Sequence, residues 1–131
     1  MVASKPRVLI ADDDERLLRA VSERLAREDY TVLTCDDGYT AVETCRQHRP
    51  DLVLADVRLR MGSGFSVLES VRDWADGPPI PVLFMTGSSD QFVDVEAERL
   101  GAAGVLRKPF RDGALLDMVR RALCTGGAQG T

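Results

Sequence analysis

The sequence predicts an α/β protein with a doubly wound parallel sheet and helices on both faces. Five short aliphatic runs alternate along the chain with five segments of helical character. The runs are apolar throughout, which is typical of strands that helices cover on both sides. Alternation of such strands with helices indicates parallel strands that are joined by right-handed crossovers.

Two strand–helix units are predicted in the first part of the chain. The strands are RVLIA at 7–11 and YTVLT at 30–34. The helix between them has one apolar face, formed by Leu17, Leu18, Val21 and Leu25. His48 is predicted to lie near the end of the second helix, where a cationic imidazole suits the helix dipole. A phosphoryl-donor role for His48 is the alternative, but the neighbourhood CRQHRP offers it no partner.

Three further strands follow, with the sequences DLVLA at 51–55, PVLFM at 81–85 and GVLR at 104–107. Apolar residues at helical spacing mark the third and fifth helices, namely Phe65, Leu68 and Val71, and then Leu115, Leu116, Val119 and Leu123. Asp90 and Asp112 are predicted to be the N-caps of the last two helices, because a carboxylate accepts hydrogen bonds from the free N–H groups of a first turn.

The chain is long enough for one domain with one hydrophobic core. It has 131 residues, of which 44% are hydrophobic. Its composition changes after Cys124, where TGGAQGT begins. We therefore predict one domain over residues 1–124 and a flexible tail or linker stub over residues 125–131.

Charge and cysteine content exclude several classes of function. A net charge of −4 and a pI near 5.0 argue against direct nucleic-acid binding by this segment, since phosphate contacts need clustered cations. No apolar run approaches the roughly 20 residues that span a bilayer, and the first residues do not resemble a signal peptide. Cys35, Cys45 and Cys124 form no C-x-x-C pair. We expect a cytoplasmic protein without a membrane partner, with its thiols reduced.

Candidate functional residues follow four of the five predicted strands, at the edge where an open α/β sheet carries its functional groups. They are Asp12, Asp13 and Asp14 after the first strand, Asp56 after the third, Thr86, Gly87 and Ser88 after the fourth, and Lys108 and Pro109 after the fifth. The second strand delivers only Cys35 and Asp36, as expected of a strand that lies away from the site. Two carboxylates about 4 Å apart repel by about 4 kcal/mol at an effective dielectric constant near 20. Such a cluster is tolerated if a cation binds or if a carboxyl group is protonated.

This set of residue types indicates chemistry on a phosphoryl group. A few oxygen ligands favour Mg²⁺, which keeps several waters and shares phosphate oxygens. An ammonium and a hydroxyl, here Lys108 and Thr86, suit a phosphoryl group opposite the metal. Asp56 is the central candidate to carry that group.

The chain resembles the receiver domain of a two-component response regulator, in the CheY-like superfamily. The resemblance covers about residues 6–124 and is carried by the motifs VLIADDDE, PDLVLADVRLRMGSGF, VLFMTGSSD and GAAGVLRKPF. It implies a five-stranded sheet of flavodoxin-like order 2-1-3-4-5. It also implies a phosphoacceptor regulatory domain, which promotes only its own phosphotransfer and autodephosphorylation, rather than an enzyme.

The resemblance assigns a role to each strand-end residue. Asp56 would accept a phosphoryl group from a sensor histidine kinase or a phosphotransfer protein. Asp13, Asp56 and the backbone carbonyl of Arg58 would bind Mg²⁺, or another divalent cation such as Mn²⁺, and Asp12 would act mainly through water. Thr86 and Lys108 would contact the phosphoryl oxygens.

Further positions follow from the same resemblance. Gly87 would leave room for the phosphoryl group, and Ser88 belongs to the segment that switches or tunes the response. The bond between Lys108 and Pro109 is a candidate cis peptide. Asp14 lies outside the usual acidic pair and is predicted to cap the first helix.

Three departures from the family pattern concern the switch and the phosphoryl lifetime. Arg60 stands where a proline is usual, so we expect a looser loop, with Gly62 and Gly64 adding freedom. Val105 stands where an aromatic switch residue is usual, so the switch is expected to be muted or built differently. Arg58 occupies a position that is associated with the lifetime of the phosphoryl group, and it is predicted to change hydrolysis by shielding or misplacing the attacking water.

Two other functions and several outputs stay open at this point. A pseudo-receiver interaction module is one alternative. A phosphatase of the haloacid-dehalogenase kind is another, although Arg58 stands where that family has a second Asp. The output surface would be the fourth helix (92–100), fifth strand and fifth helix (115–123), acting on an unknown partner, on a missing C-terminal effector domain, or in a homodimer. A stand-alone regulator and a truncated multidomain protein both fit the sequence.

Overall fold

Parallel strands and helices alternate along residues 5–74 and 77–129, which are the parts of the chain that the computed structural model describes. In chain order the elements are β1 (Arg7–Ala11), α1 (Glu15–Arg27), β2 (Thr31–Cys35), α2 (Gly38–His48), β3 (Leu52–Asp56), β4 (Arg58–Leu59), β5 (Gly62–Ser63), α3 (Gly64–Arg72), β6 (Val82–Thr86), α4 (Gln91–Leu100), β7 (Gly104–Arg107) and α5 (Asp112–Gln129). His48 is the last residue of α2, as predicted.

The main sheet has five parallel strands in the order β2-β1-β3-β6-β7. Numbered among themselves, these strands have the predicted order 2-1-3-4-5, so the expected fold is confirmed. The register pairs Ala11 of β1 with Ala55 of β3, and it pairs Asp56 with Met85. The residues that end β1, β3 and β6 therefore lie next to one another at one edge of the sheet.

The core consists of two apolar layers, one on each face of the sheet. Alternate residues of β3 divide between the layers: Leu52 and Leu54 pack on the side of α1 and α5, whereas Val53 and Ala55 pack on the side of α2, α3 and α4. Every residue of β3 is buried. The continuous apolar run of this strand is thus explained, since neither of its faces meets solvent.

Side chains cap four helices in the manner expected for their N-termini, and at α2 the Asp37 carboxylate accepts a hydrogen bond from Thr40 N–H. The Asp14 carboxylate accepts hydrogen bonds from the N–H groups of Arg16 and Leu17 at α1, and the Asp90 carboxylate accepts from Phe92 N–H at α4. Ser63 caps α3. The prediction for Asp112 is wrong by one residue, because Asp112 is the first residue of α5. Its negative charge still suits the positive end of the helix dipole there.

The segment that follows β3 forms an antiparallel hairpin of β4 and β5. This pairing gives the segment a regular structure, and the expected looseness of the loop stays a prediction. Arg60 accepts a hydrogen bond through its carbonyl from Gly38 N–H, at 2.8 Å. Gly64 has no room for a side chain, because a Cβ atom there would lie 2.7 Å from the carbonyl oxygen of Asp56. This glycine permits a close backbone approach rather than adding freedom.

Helix α5 continues to Gln129, beyond the predicted end of the domain at residue 124. The backbone of residues 125–129 is thus helical, whereas its glycine content had predicted a flexible tail or linker stub. Residues 130 and 131 lie outside the described residues, and the domain boundary stays a prediction. Within the described parts of the chain, no helix is both long and apolar enough to cross a membrane.

Candidate functional site

Three buried polar or charged side chains occur among the described residues, and all three lie at the carboxyl edge of the main sheet. Asp12 has no exposed surface, Thr86 is 4% exposed and Asp56 is 9% exposed. Asp12 follows β1, while Asp56 and Thr86 end β3 and β6. Lys108 follows β7 and is half-buried. The structure thus brings together residues from the four strand ends that the sequence singled out.

The Lys108 ammonium joins the two buried carboxylates. Its Nζ donates to Oδ2 of Asp12 at 2.6 Å and to Oδ2 of Asp56 at 2.5 Å. The second oxygen of each carboxylate accepts a hydrogen bond from the backbone two residues later, from Asp14 N–H at 2.9 Å and from Arg58 N–H at 2.8 Å. Each carboxylate is therefore fixed at both oxygens, so its orientation is set before any ligand arrives.

The electrostatics of this cluster favour a further cation. Burial raises the pKa of Asp12 above its usual 3.8, against the lowering effect of the hydrogen bonds from Lys108 and Asp14; the negative charge of Asp56 also raises it. Burial tends to lower the pKa of Lys108, but its hydrogen bonds to Asp12 and Asp56 outweigh burial and hold that pKa above 10.5. Two ionised carboxylates and one ammonium leave a net negative charge, which a divalent cation would compensate.

The hydroxyl of Thr86 begins a series of hydrogen bonds that reaches α4. Thr86 Oγ1 accepts from Ser88 N–H at 3.0 Å, Ser88 Oγ accepts from Asp90 N–H at 3.0 Å, and Asp90 Oδ1 accepts from Phe92 N–H at 2.9 Å. We call these three bonds the Thr86–Phe92 series. Alternate Thr, Ser and Asp residues in TGSSD are the sequence signal for it, since their side chains bond to nearby backbone N–H groups. The series connects Thr86 to the first turn of α4.

An ion pair that the sequence did not predict joins β7 to α4. The guanidinium of Arg107 donates to both carboxylate oxygens of Asp94, at 3.1 and 2.8 Å. The sequence placed Arg107 directly before Lys108 but gave no sign of its partner Asp94, which is 13 residues away in the chain.

Val105 of β7 is half-buried and packs against the apolar layer beneath α2, α3 and α4.

Other predicted site residues surround this cluster without joining its contacts. The side chains of Asp13 and Arg58 are exposed, and Arg58 meets Asp56 through its backbone N–H. Gly87 borders open space, because a Cβ atom there would have no neighbour within 4 Å. The peptide bond between Lys108 and Pro109 is cis, as the resemblance implied. The roles of Asp13 and of the Arg58 carbonyl as ligands stay predictions.

The donor atoms present fit a hard divalent cation that needs few protein ligands. Among residues 5–74 and 77–129, no group of three or more His, Cys, Asp or Glu residues is arranged to hold a metal ion. Asp12 and Asp56 nevertheless converge on one cation, the Lys108 ammonium. Mg²⁺ typically binds through one or two carboxylates and otherwise through water and phosphate oxygens. A pair of carboxylates is thus a sufficient acidic set for it.

Sequence comparisons relate the chain to bacterial regulatory proteins. A family model described as the response regulator receiver domain matches residues 8–120. The transcriptional regulatory protein KdpE of Mycobacterium tuberculosis is 35% identical over 116 residues, which are 88% of this chain and 50% of that protein. The C4-dicarboxylate transport transcriptional regulatory protein DctD of Pseudomonas aeruginosa is 34% identical over 120 residues, which are 92% of this chain and 26% of that protein.

Solved structures give the same result for the fold. The chemotaxis response regulator CheY4 of Vibrio cholerae has a TM-score of 0.84 at 30% identity, covering 91% of this chain and 99% of that one. The non-phosphorylated receiver domain of HemR from Leptospira biflexa has a TM-score of 0.81 at 32% identity, covering 91% and 94%. The chain is thus similar to whole receiver domains and spans at most half the length of the two transcriptional regulators.

Proposed function

The chain belongs to the response regulator receiver domain family, and from this premise we propose that it accepts a phosphoryl group on Asp56 and so controls an output. Receiver domains of response regulators are regulatory modules. The observation that carries the proposal is the fixed carboxylate of Asp56, which lies between the Lys108 ammonium and the Arg58 N–H and beside Asp12. This arrangement supplies what in-line phosphoryl transfer needs, namely positioning and compensation of charge.

The proposed phosphodonor is a histidine of a sensor kinase or of a phosphotransfer protein. An oxygen of Asp56 forms the new bond to phosphorus while the bond from phosphorus to the donor's imidazole nitrogen breaks, and the nitrogen keeps that electron pair. Lys108 stays cationic and compensates the added negative charge on the phosphoryl oxygens. Mg²⁺ held by Asp12, Asp13, Asp56 and the Arg58 carbonyl would neutralise part of the same charge.

The proposed switch uses the Thr86–Phe92 series. Thr86 would give a hydrogen bond to a phosphoryl oxygen, with Gly87 leaving space beside it. Its movement would disturb the hydrogen bond from Ser88 N–H and pass through the series to α4. Because Val105 offers no aromatic ring, this route takes the place of a ring movement in β7. The result is a population shift of the α4, β7 and α5 surface.

The relatives indicate what kind of output the chain controls. KdpE and DctD are described as transcriptional regulatory proteins, and each is longer than the segment that this chain matches. We propose an output partner, or an effector domain on the same protein, that responds to the α4, β7 and α5 surface. A homodimer through this surface is the alternative form of the same output. The proposed location is the cytoplasm, where histidine kinases present their phosphohistidine.

Phosphorylation by a small donor with and without metal tests the proposed function. The purified protein is incubated with acetyl phosphate and Mg²⁺, and a parallel sample contains a chelator in place of Mg²⁺. Intact-mass spectrometry is expected to show one added phosphoryl group only when Mg²⁺ is present. Equal labelling in both samples would contradict the metal requirement.

We expect Arg58→Ala and Arg58→Asn to shorten the lifetime of the phosphorylated protein. Arg58 is exposed beside Asp56, so its loss would unshield the attacking water. A change of about 1.4 kcal/mol in activation free energy corresponds to about tenfold faster dephosphorylation. The decay is followed by intact mass after the donor is removed. Arg60→Ala, in the turn of the same hairpin, is the matched control, and unchanged decay in both Arg58 variants would refute the shielding role.

A further inference from the structure

Helix α2 and the β4–β5 hairpin touch backbone to backbone at Gly38. Gly38 is the first residue of α2, and its N–H donates to the carbonyl of Arg60 at 2.8 Å. A Cβ atom at Gly38 would lie 2.7 Å from the carbonyl oxygen of Met61 and 3.2 Å from Cα of Gly62. Real Cβ atoms essentially never approach another atom within 3.0 Å. The contact therefore requires glycine at position 38.

The opposite side of the same hairpin touches Asp56. In β4, Arg58 pairs with Ser63 of β5, and Arg58 N–H donates to Oδ1 of Asp56 at 2.8 Å. Gly64 follows β5 directly and approaches the backbone of Asp56 so closely that a Cβ atom would lie 2.7 Å from its carbonyl oxygen. The hairpin is thus confined between α2 and the residue whose carboxylate it orients.

The side chain of Leu59 in β4 is buried in the apolar layer on the side of α2, α3 and α4, but the side chains of the turn contribute little to its position. Arg60 pairs with Asp36 at 3.6 Å, and both side chains are more than half exposed. Exposed ion pairs of this kind contribute about 0–1 kcal/mol. Met61 is 72% exposed and has a positive φ of 52°, so its side chain anchors nothing. Residues 60 and 61 meet α2 through their backbone, since the Arg60 carbonyl accepts from Gly38 N–H and the Met61 carbonyl lies against Gly38.

We infer that Gly38 is a positioning residue for Asp56: by admitting the hairpin against α2, it sets where the Arg58 N–H holds the acceptor carboxylate. The inference rests on the proposed function, because it gives that carboxylate a reason to be held in one orientation. It concerns residues of α2 and the hairpin, which act through Arg58 and do not touch a phosphoryl group.

The substitution Gly38→Ala tests the inference, because it adds one methyl group at the contact. To reach an ordinary contact distance of 3.4–4 Å, the hairpin turn must move away from α2. Misplacement by up to about 1 Å at a reacting group lowers rates by up to about 100-fold, so we expect phosphorylation by acetyl phosphate to slow by about 10- to 100-fold. Alanine has a higher helix propensity than glycine, so a weakened α2 cannot explain slower phosphorylation.

Gly113→Ala is the matched control. Gly113 lies in the first turn of α5, and a Cβ atom there would meet nothing within 4 Å. The same chemical change at the start of a helix is therefore made without a contact. We expect this variant to be phosphorylated at the wild-type rate.

Amide hydrogen exchange supplies a readout that does not depend on phosphorylation. Gly38→Ala is expected to speed exchange of the Arg58 amide, because its bond to Asp56 is strained. The Asp14 amide, which bonds to Asp12 in the same way, should be unchanged. If Gly38→Ala does not fold, the double variant Gly38→Ala/Met61→Gly is measured instead. Glycine adopts the positive φ of residue 61 without strain, so the turn can move away from the added methyl group. In a folded single variant, Met61→Gly should restore part of the lost rate.

The outcomes separate this inference from the proposed function. Faster Arg58 exchange together with slower phosphorylation supports both. A folded Gly38→Ala protein with wild-type exchange at Arg58 and wild-type phosphorylation overturns the positioning role and leaves the proposed function standing. If no variant, the wild type included, takes up phosphate while Arg58 exchange is still faster in Gly38→Ala, then the proposed function fails and the structural coupling stands.

Discussion

Replacing Lys108 by Gln is expected to slow phosphorylation of Asp56 by about 100- to 1,000-fold, which is the usual effect of removing one preorganised group that stabilises developing negative charge. The ammonium lies 2.5 Å from Oδ2 of Asp56 and 2.6 Å from Oδ2 of Asp12, so its loss removes a charged hydrogen bond from both carboxylates. Glutamine keeps a hydrogen-bond donor but has no charge. The initial rate with acetyl phosphate and Mg²⁺, followed by intact mass, measures the effect.

Lys5→Gln is the control for the change at Lys108, because these are the two lysines of the chain. Lys5 is exposed, lies 3.9 Å from Asp29 and stands before β1, at the end of that strand opposite to Asp12. We expect the Lys5 variant to react at the wild-type rate. A Lys108→Gln protein that is phosphorylated as fast as the Lys5 variant would remove Lys108 from the mechanism.

Replacing Phe84 by Ala is expected to lower the free energy of unfolding by about 3–5 kcal/mol, a large part of the 5–15 kcal/mol that is typical of a domain. Phe84 has no exposed surface and is the largest of the fully buried side chains. Its ring packs edge-to-face on Phe65, with centroids 5.1 Å apart. Deleting the Phe84 ring leaves a cavity in the core beside β6, two residues before Thr86. Urea denaturation measures the loss.

Phe92→Ala is the matched control, because Phe92 also packs edge-to-face on the ring of Phe65. Its centroid lies 6.3 Å from that of Phe65, but the side chain is 57% exposed. An edge-to-face aromatic pair contributes about 0.5–1.5 kcal/mol beyond burial, so we expect a loss of at most about 1.5 kcal/mol. Equal losses in the two variants would contradict the placement of the core.

The sequence was sufficient to predict the main sheet, because burial leaves a strong pattern. The sequence of β3, apolar from Leu52 to Ala55 and ended by Asp56, is typical of a strand covered on both faces, and its alternation with helical segments favours an α/β sheet. The carboxyl ends of parallel strands share one edge, so Asp12, Asp56, Thr86 and Lys108 could be grouped before their distances were known. Spatial proximity followed from topology rather than from local sequence.

Very short strands, and contacts between residues far apart in the chain, could not be predicted from the sequence pattern. Two-residue strands such as β4 and β5 have no periodicity, so RLRMGS looked like a loose loop. The contact of Gly38 with Met61 joins elements that are far apart in the chain, and a lone glycine carries no signal for its partner. The ion pair of Arg107 with Asp94 was missed for the same reason. Ligand roles such as that of Asp13 depend on a bound metal and stay predictions.

The central claim, that Asp56 accepts the phosphoryl group, is tested most directly by intact-mass spectrometry of three proteins after treatment with acetyl phosphate and Mg²⁺. The wild type and Asp51→Asn, altered just before the other end of the same strand, are expected to gain one phosphoryl group. Asp56→Asn is expected to gain none. Phosphorylation of Asp56→Asn to the wild-type extent would contradict the account, as would a wild-type protein that stays unmodified.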